Sequence, residues 1–140
     1  VAAAPSPSAG RVRVNEFLWK STDGAPGPDG KSSDWIELYN PGDEAVEMGG
    51  WSILDADMLG NNYPGFTFAE GTQLAPHSFM VLMADDTPSD HLVPDSLGLT
   101  HVPFKLGKED GVFLRDANGS SVDWIVYSAE TAAGGPPSLR

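Results

Sequence analysis

The chain of 140 residues has the length of one domain and is long enough to bury a real core. It contains no cysteine, which excludes disulfide bonds and thiolate metal sites, and no apolar run approaches the ~18 residues that cross a membrane. The formal net charge of −12 and the scattered positions of the eight Lys and Arg residues argue against nucleic-acid binding. Sixteen glycines and twelve prolines, with little helical periodicity, indicate many short strands joined by turns.

Both ends of the chain have the composition of linkers. Residues 1–10 are rich in Ala, Pro and Ser, and residues 128–140 are rich in Ala, Gly and Pro. We interpret both segments as flexible linkers or tails, and residues 11–127 as one folded domain. The chain is therefore expected to be part of a larger protein.

The first predicted strand shows a break in its alternation. Val12 and Val14 share one parity, whereas Phe17 and Trp19 share the other. A β-bulge near Asn15–Glu16 would return all four apolar side chains to the same face of the sheet. The sequence therefore predicts a bulged strand.

The segment Asp34–Pro41 is predicted to be the central strand. Its side chains alternate between two faces, with Ile36, Leu38 and Asn40 on one and Trp35, Glu37 and Tyr39 on the other. Apolar groups on both faces are typical of a strand with neighbours on each side. A carboxylate between two aromatic residues is costly to bury alone, so we expect Glu37 to accept hydrogen bonds rather than to act as a catalytic acid.

The segments after the central strand are predicted to be further short strands and loops. Residues 44–54 change phase at Gly49–Gly50, which predicts a bend or bulge, and residues 55–65 are predicted to be a loop. Phe66–Phe68 is a short strand of alternating aromatics. Ser78–Ala84 is apolar on both faces and is predicted to be a strand in the middle of the sandwich.

The C-terminal part contains a hairpin signal. Residues 85–102 have the least pattern and could form one short helical turn. Further on, residues 112–115 and 121–127 are predicted to pair through the turn Asp116–Gly119, because its Asn-Gly dipeptide is a strong signal for a tight hairpin. Most of the four Trp side chains are expected in the core. The core prediction names these inward side chains: Ile36, Leu38, Trp51, Val81 and Val126.

These elements predict an all-β fold. About eight short strands, with no long helix and no parallel crossover, describe an antiparallel sandwich or barrel. The expected circular dichroism spectrum lacks a helical signal.

An ordered set of motifs runs through Arg11–Tyr127. Its segments are Val14–Phe17, Asp34–Pro41, Val46–Ile53, Phe68–Thr72, Leu74–Pro76, Phe104–Leu106, Asp116–Gly119 and Val122–Tyr127. This ordered set resembles the lamin-tail domain family. The family motif falls on Asn15, Glu16, Asp34, Trp35, Glu37, Leu38, Asn40, Pro41, Gly50 and Trp51. The resemblance implies an immunoglobulin-like antiparallel β-sandwich without catalytic residues.

The chain departs from the nuclear members that this family includes. It has no heptad rod, no basic nuclear-localisation run and no basic surface patch, and it carries long inserts at residues 21–33 and 85–102. These departures favour the bacterial, exported branch of the family. We therefore expect an extracellular or cell-surface location and a partner that is a protein or a component of the cell envelope.

Catalysis is not indicated by the distribution of reactive residues. His77, His91 and His101 lie far apart, with no Asp or Ser at a useful spacing, and we interpret them as surface or loop residues. No nucleophile elbow, phosphate-binding glycine loop or zinc-binding His-Glu motif is present. The chain is therefore expected not to be an enzyme.

Calcium binding stays open as an alternative. Asp55 and Asp57 resemble the start of a calcium loop, but Leu59 and Phe66 occupy positions that require ligands. Asp85 and Asp86 could instead converge with other loop carboxylates. No cofactor other than this possible calcium ion is expected.

Two classes of function follow from these observations. The preferred one is a non-catalytic protein-interaction or anchoring module of a larger exported bacterial protein. The alternatives are a calcium- or carbohydrate-dependent adhesion module and an accessory domain of a secreted hydrolase or nuclease. The predicted interaction loops contain Tyr63, Phe66, Asp90 and Asp95.

Overall fold

The computed structural model describes residues 12–18, 34–63, 65–86, 91–96, 98–106 and 110–127. The predicted linkers at residues 1–10 and 128–140, the insert at residues 21–33, Trp19 and Asp90 lie outside the described residues. The elements in chain order are β1 (Arg13–Leu18), β2 (Asp34–Asn40), β3 (Val46–Glu47), β4 (Ser52–Asp55), α1 (Ala56–Gly60), β5 (Phe66–Phe68), β6 (Gln73–Leu74), β7 (Ser78–Ala84), β8 (His91–Leu92), β9 (Thr100–Val102), β10 (Asp110–Arg115) and β11 (Ser121–Tyr127).

Two main sheets form an immunoglobulin-like sandwich. The first sheet has the strand order β1-β2-β7-β9 and the second has the order β11-β10-β4-β5-β8, while β3 and β6 form a separate two-stranded ribbon. Strand β2 pairs with β1 on one side and with β7 on the other, so the prediction that it is central is confirmed. The family-level prediction of an all-β sandwich is confirmed as well.

The described strands differ from the prediction in number and in two pairings. Eleven strands are described instead of about eight, because several are only two or three residues long. The pairs β5·β8 and β7·β9 are parallel, whereas the sequence predicted no parallel crossover. The predicted loop at residues 55–65 begins with the short helix α1, which follows β4 directly. The prediction therefore missed this turn of helix.

The bulge predicted in β1 is confirmed. The register between β1 and β2 shifts between Val14 and Glu16, opposite Leu38 and Glu37. Val14 and Phe17 are both buried although they have opposite parity. One extra residue, Asn15, thus keeps the apolar side chains of both halves of the strand in the core.

The phase change at Gly49–Gly50 is produced by a turn between two sheets. Gly50 has a φ of +81°, and its amide donates to the Phe68 carbonyl over 3.0 Å. Before this turn Met48 is buried beside the ribbon strand β3, and after it Trp51 leads into β4 of the second sheet. A residue without a Cβ suits the left-handed conformation that this change of sheet requires.

The core lies between the two main sheets. Ile36, Leu38 and Trp51 are buried, as predicted. The predictions for Val126 and Val81 are wrong, because the Val126 side chain is 65% exposed and Val81, which pairs with Glu37, lies half-buried on the outer face. The fully buried side chains with the largest volumes are Phe17, Phe68, Ile36, Leu38, Met48, Ile53, Leu54, Leu82, Met83, Leu92, Leu114 and Val12.

The error at Val126 has its origin in the orientation of β11. Asp123, Ile125 and Tyr127 point into the core, so Trp124 and Val126 point outward. Trp124 is 51% exposed and Trp35 is half-buried. Of the described Trp side chains only Trp51 is therefore buried, which corrects the expectation that most of them lie in the core.

The predicted hairpin between β10 and β11 is confirmed. Asp116 and Ser120 pair through a backbone hydrogen bond of 2.9 Å, and Gly119 has a φ of +81°. The Asp116 carboxylate also accepts hydrogen bonds from the amides of Asn118 and Ser120. Local turn chemistry is sufficient to define this connection.

Candidate functional site

The outer face of the first sheet carries two glutamates opposite each other. Glu16 of β1 lies across from Glu37 of β2, and the flanking residues Phe17 and Ile36 point into the core. The side-chain amide of Asn15 donates a hydrogen bond of 2.9 Å to Glu37 Oε1. This contact confirms the expectation that Glu37 accepts a hydrogen bond, and the bulge brings its donor into place.

The charged form of Glu16 is disfavoured at this position. The pKa of Glu16 lies above its ordinary value, first because the carboxyl is partly desolvated and second because Glu37 is close. A cationic group beside the two carboxylates would offset the repulsion between them. The pair is therefore suited to binding a Lys or Arg side chain.

Two stacked aromatic rings lie on the same face. Tyr39 of β2 and Phe79 of β7 are opposite each other, with ring centroids 4.5 Å apart and an interplanar angle of 25°. Phe79 is 55% exposed. Since Glu37 and Tyr39 are two residues apart in one strand, they follow each other on this face at about 7 Å. We call the set Glu16, Glu37, Tyr39 and Phe79 the carboxylate–aromatic face.

This combination of groups is chemically specific. A cation held over an aromatic ring gains from the ring quadrupole, and a nearby carboxylate adds a charge-assisted hydrogen bond. The carboxylate–aromatic face can thus bind a cationic side chain, but it contains no pairing of a nucleophile with a base. The sequence alone did not indicate this face, because Glu16 and Phe79 lie 63 positions apart and only the strand register brings them to one face.

A second cluster surrounds His101 on β9. The ring Nδ1 lies 2.5 Å from Asp85 Oδ2, and the ring Nε2 lies 2.7 Å from Asp95 Oδ2. Asp85 and Asp95 lie 16 and 6 residues from His101 in the sequence, so their spacing did not indicate these contacts, and His101 lies in a strand instead of the predicted loop. The side chain of His101 is 21% exposed. His77, in contrast, is an exposed residue whose ring contacts the Asp43 carboxylate.

The two carboxylates favour the charged form of His101. The pKa of His101 is raised above its ordinary value by the hydrogen bond with Asp95, and the contact with Asp85 adds to this against the opposing effect of burial. A protonated ring can donate to both carboxylates, whereas a neutral ring can donate to only one. The cluster therefore links Asp85, at the end of β7, to the segment before β9 most strongly when His101 is charged.

The residues predicted to bind calcium lie in two separate places. Asp85 contacts His101, and Asp86 has a φ of +63° with its amide bonded to the Phe104 carbonyl. Asp55 and Asp57 belong to the start of α1. In the described part of the chain no group of three or more His, Asp or Glu residues is arranged to hold a metal ion. Calcium binding stays a prediction.

Asp55 has a structural role in this position. Its carboxylate caps α1 by accepting a hydrogen bond of 2.9 Å from the Met58 amide. Its pKa is raised, mainly by burial and also by the nearby carboxylates of Asp110 and Asp57. Asp110 in turn accepts a hydrogen bond from the Ala56 amide.

The predicted interaction loops are partly represented in the structure. Tyr63 is 45% exposed and packs against Phe66 with a centroid distance of 5.5 Å. Phe66 is half-buried and lies 6.5 Å from the Phe104 ring. Asp95 contacts His101. Among the described members of this group, only Tyr63 therefore presents a large exposed apolar surface.

The remaining motif residues stabilise the fold. Asn40 is fully buried, and its amide nitrogen donates to the carbonyls of Glu44, Leu74 and Ala75 while its oxygen accepts from the Gly42 amide. One side chain thus ties the end of β2 to the turn after it and to the ribbon strand β6.

The other motif residues make comparable contacts. Asp34 accepts from the Leu106 amide over 3.1 Å. Trp51 is buried, and its carbonyl accepts from the Phe68 amide over 2.8 Å. Pro41 follows β2 as a half-buried residue. Every buried side-chain nitrogen and oxygen in the described ranges has a hydrogen-bond partner.

The two packed sheets form an immunoglobulin-like sandwich whose first sheet carries the carboxylate–aromatic face on its outer side. The sequence model of the Lamin Tail Domain family matches residues 5–129, and the chain belongs to this family. The family is one of non-enzymatic immunoglobulin-like domains and suggests an interaction module. A comparison with curated proteins gave no match. None of the helices in the described ranges is long and apolar enough to span a membrane.

Proposed function

We propose that this domain is a non-catalytic protein-interaction or anchoring module of a larger exported bacterial protein. Its partner is a protein or cell-envelope component that presents a basic segment. The observation that carries the proposal is the carboxylate–aromatic face, where the Glu16–Glu37 pair shares the outer face of the first sheet with the exposed ring of Phe79.

The charge of the chain supports a basic partner. The formal net charge is −12, so the long-range field attracts cations and repels phosphate groups. The carboxylate–aromatic face adds local selectivity, because it combines hydrogen-bond acceptors with aromatic surface. A polyanion such as duplex DNA is not a partner of this kind.

The exported bacterial context rests on composition. The acidic chain lacks cysteine, a heptad rod and a basic nuclear-localisation run. Its Pro-rich terminal segments have the composition of linkers between domains. An appended module that binds a basic partner fits the cell surface of a bacterium.

The binding test uses a defined cationic probe. A labelled peptide of alternating Lys and Val should bind the domain, with an affinity that falls as salt rises. The double variant Glu16→Gln/Glu37→Gln should weaken binding at least about tenfold, since two charge-assisted contacts are lost. A matched pair of exposed residues, changed as Glu44→Gln/Glu70→Gln, removes the same charge elsewhere and should change binding by less than about threefold.

Two further measurements decide the class of function. A salt-titrated mobility shift should show no binding to duplex DNA, and a panel of hydrolase and nuclease substrates should remain unchanged. Tight DNA binding at physiological salt, or turnover of any substrate by the isolated domain, would contradict the proposal. Equal losses of peptide affinity in both double variants would show that only net charge matters.

A further inference from the structure

Strand β7 is paired along one side and only partly along the other. It pairs with β2 over all of Ser78–Ala84, but its pairing with β9 covers only Leu82–Ala84. Within the described ranges, the part from Ser78 to Val81 therefore has no neighbouring strand on the side away from β2. Half of the backbone N–H and C=O groups in such a segment point toward the open side.

An open groove lies along this half-edge. Its volume is about 430 Å³. Its lining includes Gln73, Leu74, Met80, Val81, Gly98 and Leu99. Ribbon strand β6 borders one end, and the residues before β9 border the other. Leu99, which precedes β9, also lines the groove near Val81, so the slot for an extended chain along Ser78–Val81 is at most about 13 Å long.

The two sides of this slot differ in polarity. Met80 lies opposite the buried Leu38 and packs against the core, whereas Phe79 and Val81 point to the outer face. An added strand would alternate in the same way, with every second side chain over Met80, Leu74 and Leu99. Apolar residues suit these inward positions.

The outward positions of an added strand face the carboxylate–aromatic face. Glu37 of β2 pairs with Val81 of β7, so β7 alone lies between Glu37 and the slot. Two strand spacings place an added backbone roughly 10 Å from the backbone of β2, a distance that the side chains of Lys and Glu span together. The exposed ring of Phe79, on β7 between the slot and β2, can contact the side chain of such a Lys. Basic residues suit these outward positions.

Carboxylates also lie near both ends of the groove. Asp95 accepts a hydrogen bond from the amide of the lining residue Leu99 over 3.0 Å. Glu47 accepts from the side chain of the lining residue Gln73 over 2.9 Å. The local charge at the Glu47 end is thus complementary to a basic peptide, whereas Asp95 shares its charge with His101.

We propose that the β7 half-edge binds an extended segment of the partner protein as an added strand, with basic residues alternating with apolar ones. Main-chain hydrogen bonds to Ser78–Val81 provide affinity. The apolar inward side and the acidic outward side of the slot determine the register of the added strand. This inference rests on the proposed function, because it places the basic partner segment at one edge of the first sheet. Strand addition also satisfies edge groups that would otherwise depend on solvent.

The test uses the alternating Lys–Val peptide and two N-methylated forms of it. One form is methylated on the backbone nitrogens of its Lys residues, and the other on the backbone nitrogens of its Val residues. Successive N–H groups of a strand point to opposite sides, so one form should lose at least about tenfold in affinity while the other keeps most of it. An otherwise identical Glu–Val peptide should not bind.

Protein variants locate the slot independently. Leu99→Lys places a like charge in the groove and should weaken binding at least about tenfold. Val126→Lys makes the same type of change on the other sheet, at a residue that is 65% exposed, and should leave binding within about twofold. Hydrogen exchange should show that the peptide protects amides within residues 78–81.

The outcomes separate this inference from the proposed function. If the peptide binds through Glu16 and Glu37 but tolerates both methylation patterns and Leu99→Lys, strand addition is wrong and the proposed function stands. If the Lys–Val peptide does not bind, both are wrong. Protection at another edge, or equal binding of the Glu–Val peptide, also overturns the inference.

Discussion

The backbone amide of Val14 donates a hydrogen bond of 2.9 Å to the Asp123 carboxylate. Val14 belongs to β1 and Asp123 to β11, which are the edge strands of the two main sheets. Next to this contact Phe17 stacks on Tyr127 with a centroid distance of 4.4 Å. A side chain of one sheet therefore satisfies an edge amide of the other and closes this side of the sandwich.

The variant Asp123→Ala should destabilise the fold by about 1–3 kcal/mol, because the buried Val14 amide loses its acceptor. Asp123 is only 7% exposed, so water does not readily replace the carboxylate. Urea unfolding provides the measurement. Asp123→Asn keeps one acceptor oxygen and should recover part of the loss. Asp57→Ala, at an exposed position, is the control, and equal midpoints for the two alanine variants would contradict the role of Asp123.

The variant Ile36→Ala should cost about 2–5 kcal/mol through lost apolar burial and the resulting cavity. Ile36 is fully buried on the central strand. Val126→Ala should change stability by less than about 0.5 kcal/mol, because that side chain is largely exposed. Denaturant unfolding of both variants tests the assignment of faces in β2 and β11. A large cost at Val126 would mean that β11 has the opposite orientation.

The His101 cluster should make stability depend on pH. The folded pKa of His101 is raised, first by the hydrogen bond with Asp95, so its contribution is fully present below the unfolded pKa of about 6.5. That contribution is lost as pH rises through the folded pKa. The difference in unfolding free energy between the native chain and His101→Gln should therefore shrink from pH 5.5 to pH 8.5.

The exposed His77 serves as the control for this titration. His77→Gln removes a histidine whose side chain is 59% exposed and whose partner Asp43 is 90% exposed, so it should have little effect at any pH. A difference for His101→Gln that stays constant with pH would show that the ring contributes only by packing.

The variant Glu16→Gln should stabilise the fold at neutral pH by about 0.2–1 kcal/mol, the range for like charges opposite each other in a sheet. Burial and then Glu37 raise the pKa of Glu16, so the native chain loses stability as pH rises through the folded pKa of this group. The gain should disappear at pH 3, where the carboxyl is protonated in both states. Thermal unfolding at the two pH values measures it.

The same variant separates stability from binding. Glu44→Gln, at an exposed position, is the control and should not change stability measurably. If Glu16→Gln raises stability while it weakens binding of the Lys–Val peptide, the glutamate is retained for interaction rather than for folding. Lower stability in this variant would argue against repulsion in the pair.

Several features could be predicted from the sequence because local rules determine them. The parity change between Val14 and Phe17 required a bulge, and the Asn-Gly dipeptide required a tight turn. The aromatic flanks of Glu37 required a hydrogen-bond donor, which the neighbouring strand provides through Asn15. In each case, a pattern within a few residues limits the chain to one low-energy arrangement.

Other features depended on contacts that no local pattern encodes. In β11 both parities contain apolar side chains, and the prediction placed Val126 on the inner face. The face that carries Asp123 is buried instead, because the Asp123 carboxylate binds an amide 109 residues earlier in the chain. The His101 cluster, the parallel strand β9 and the open half-edge of β7 likewise arise from the way loops return to the sheets. Alternation determines which side chains share a face, but only tertiary packing decides which face meets the core, because that choice depends on distant partners.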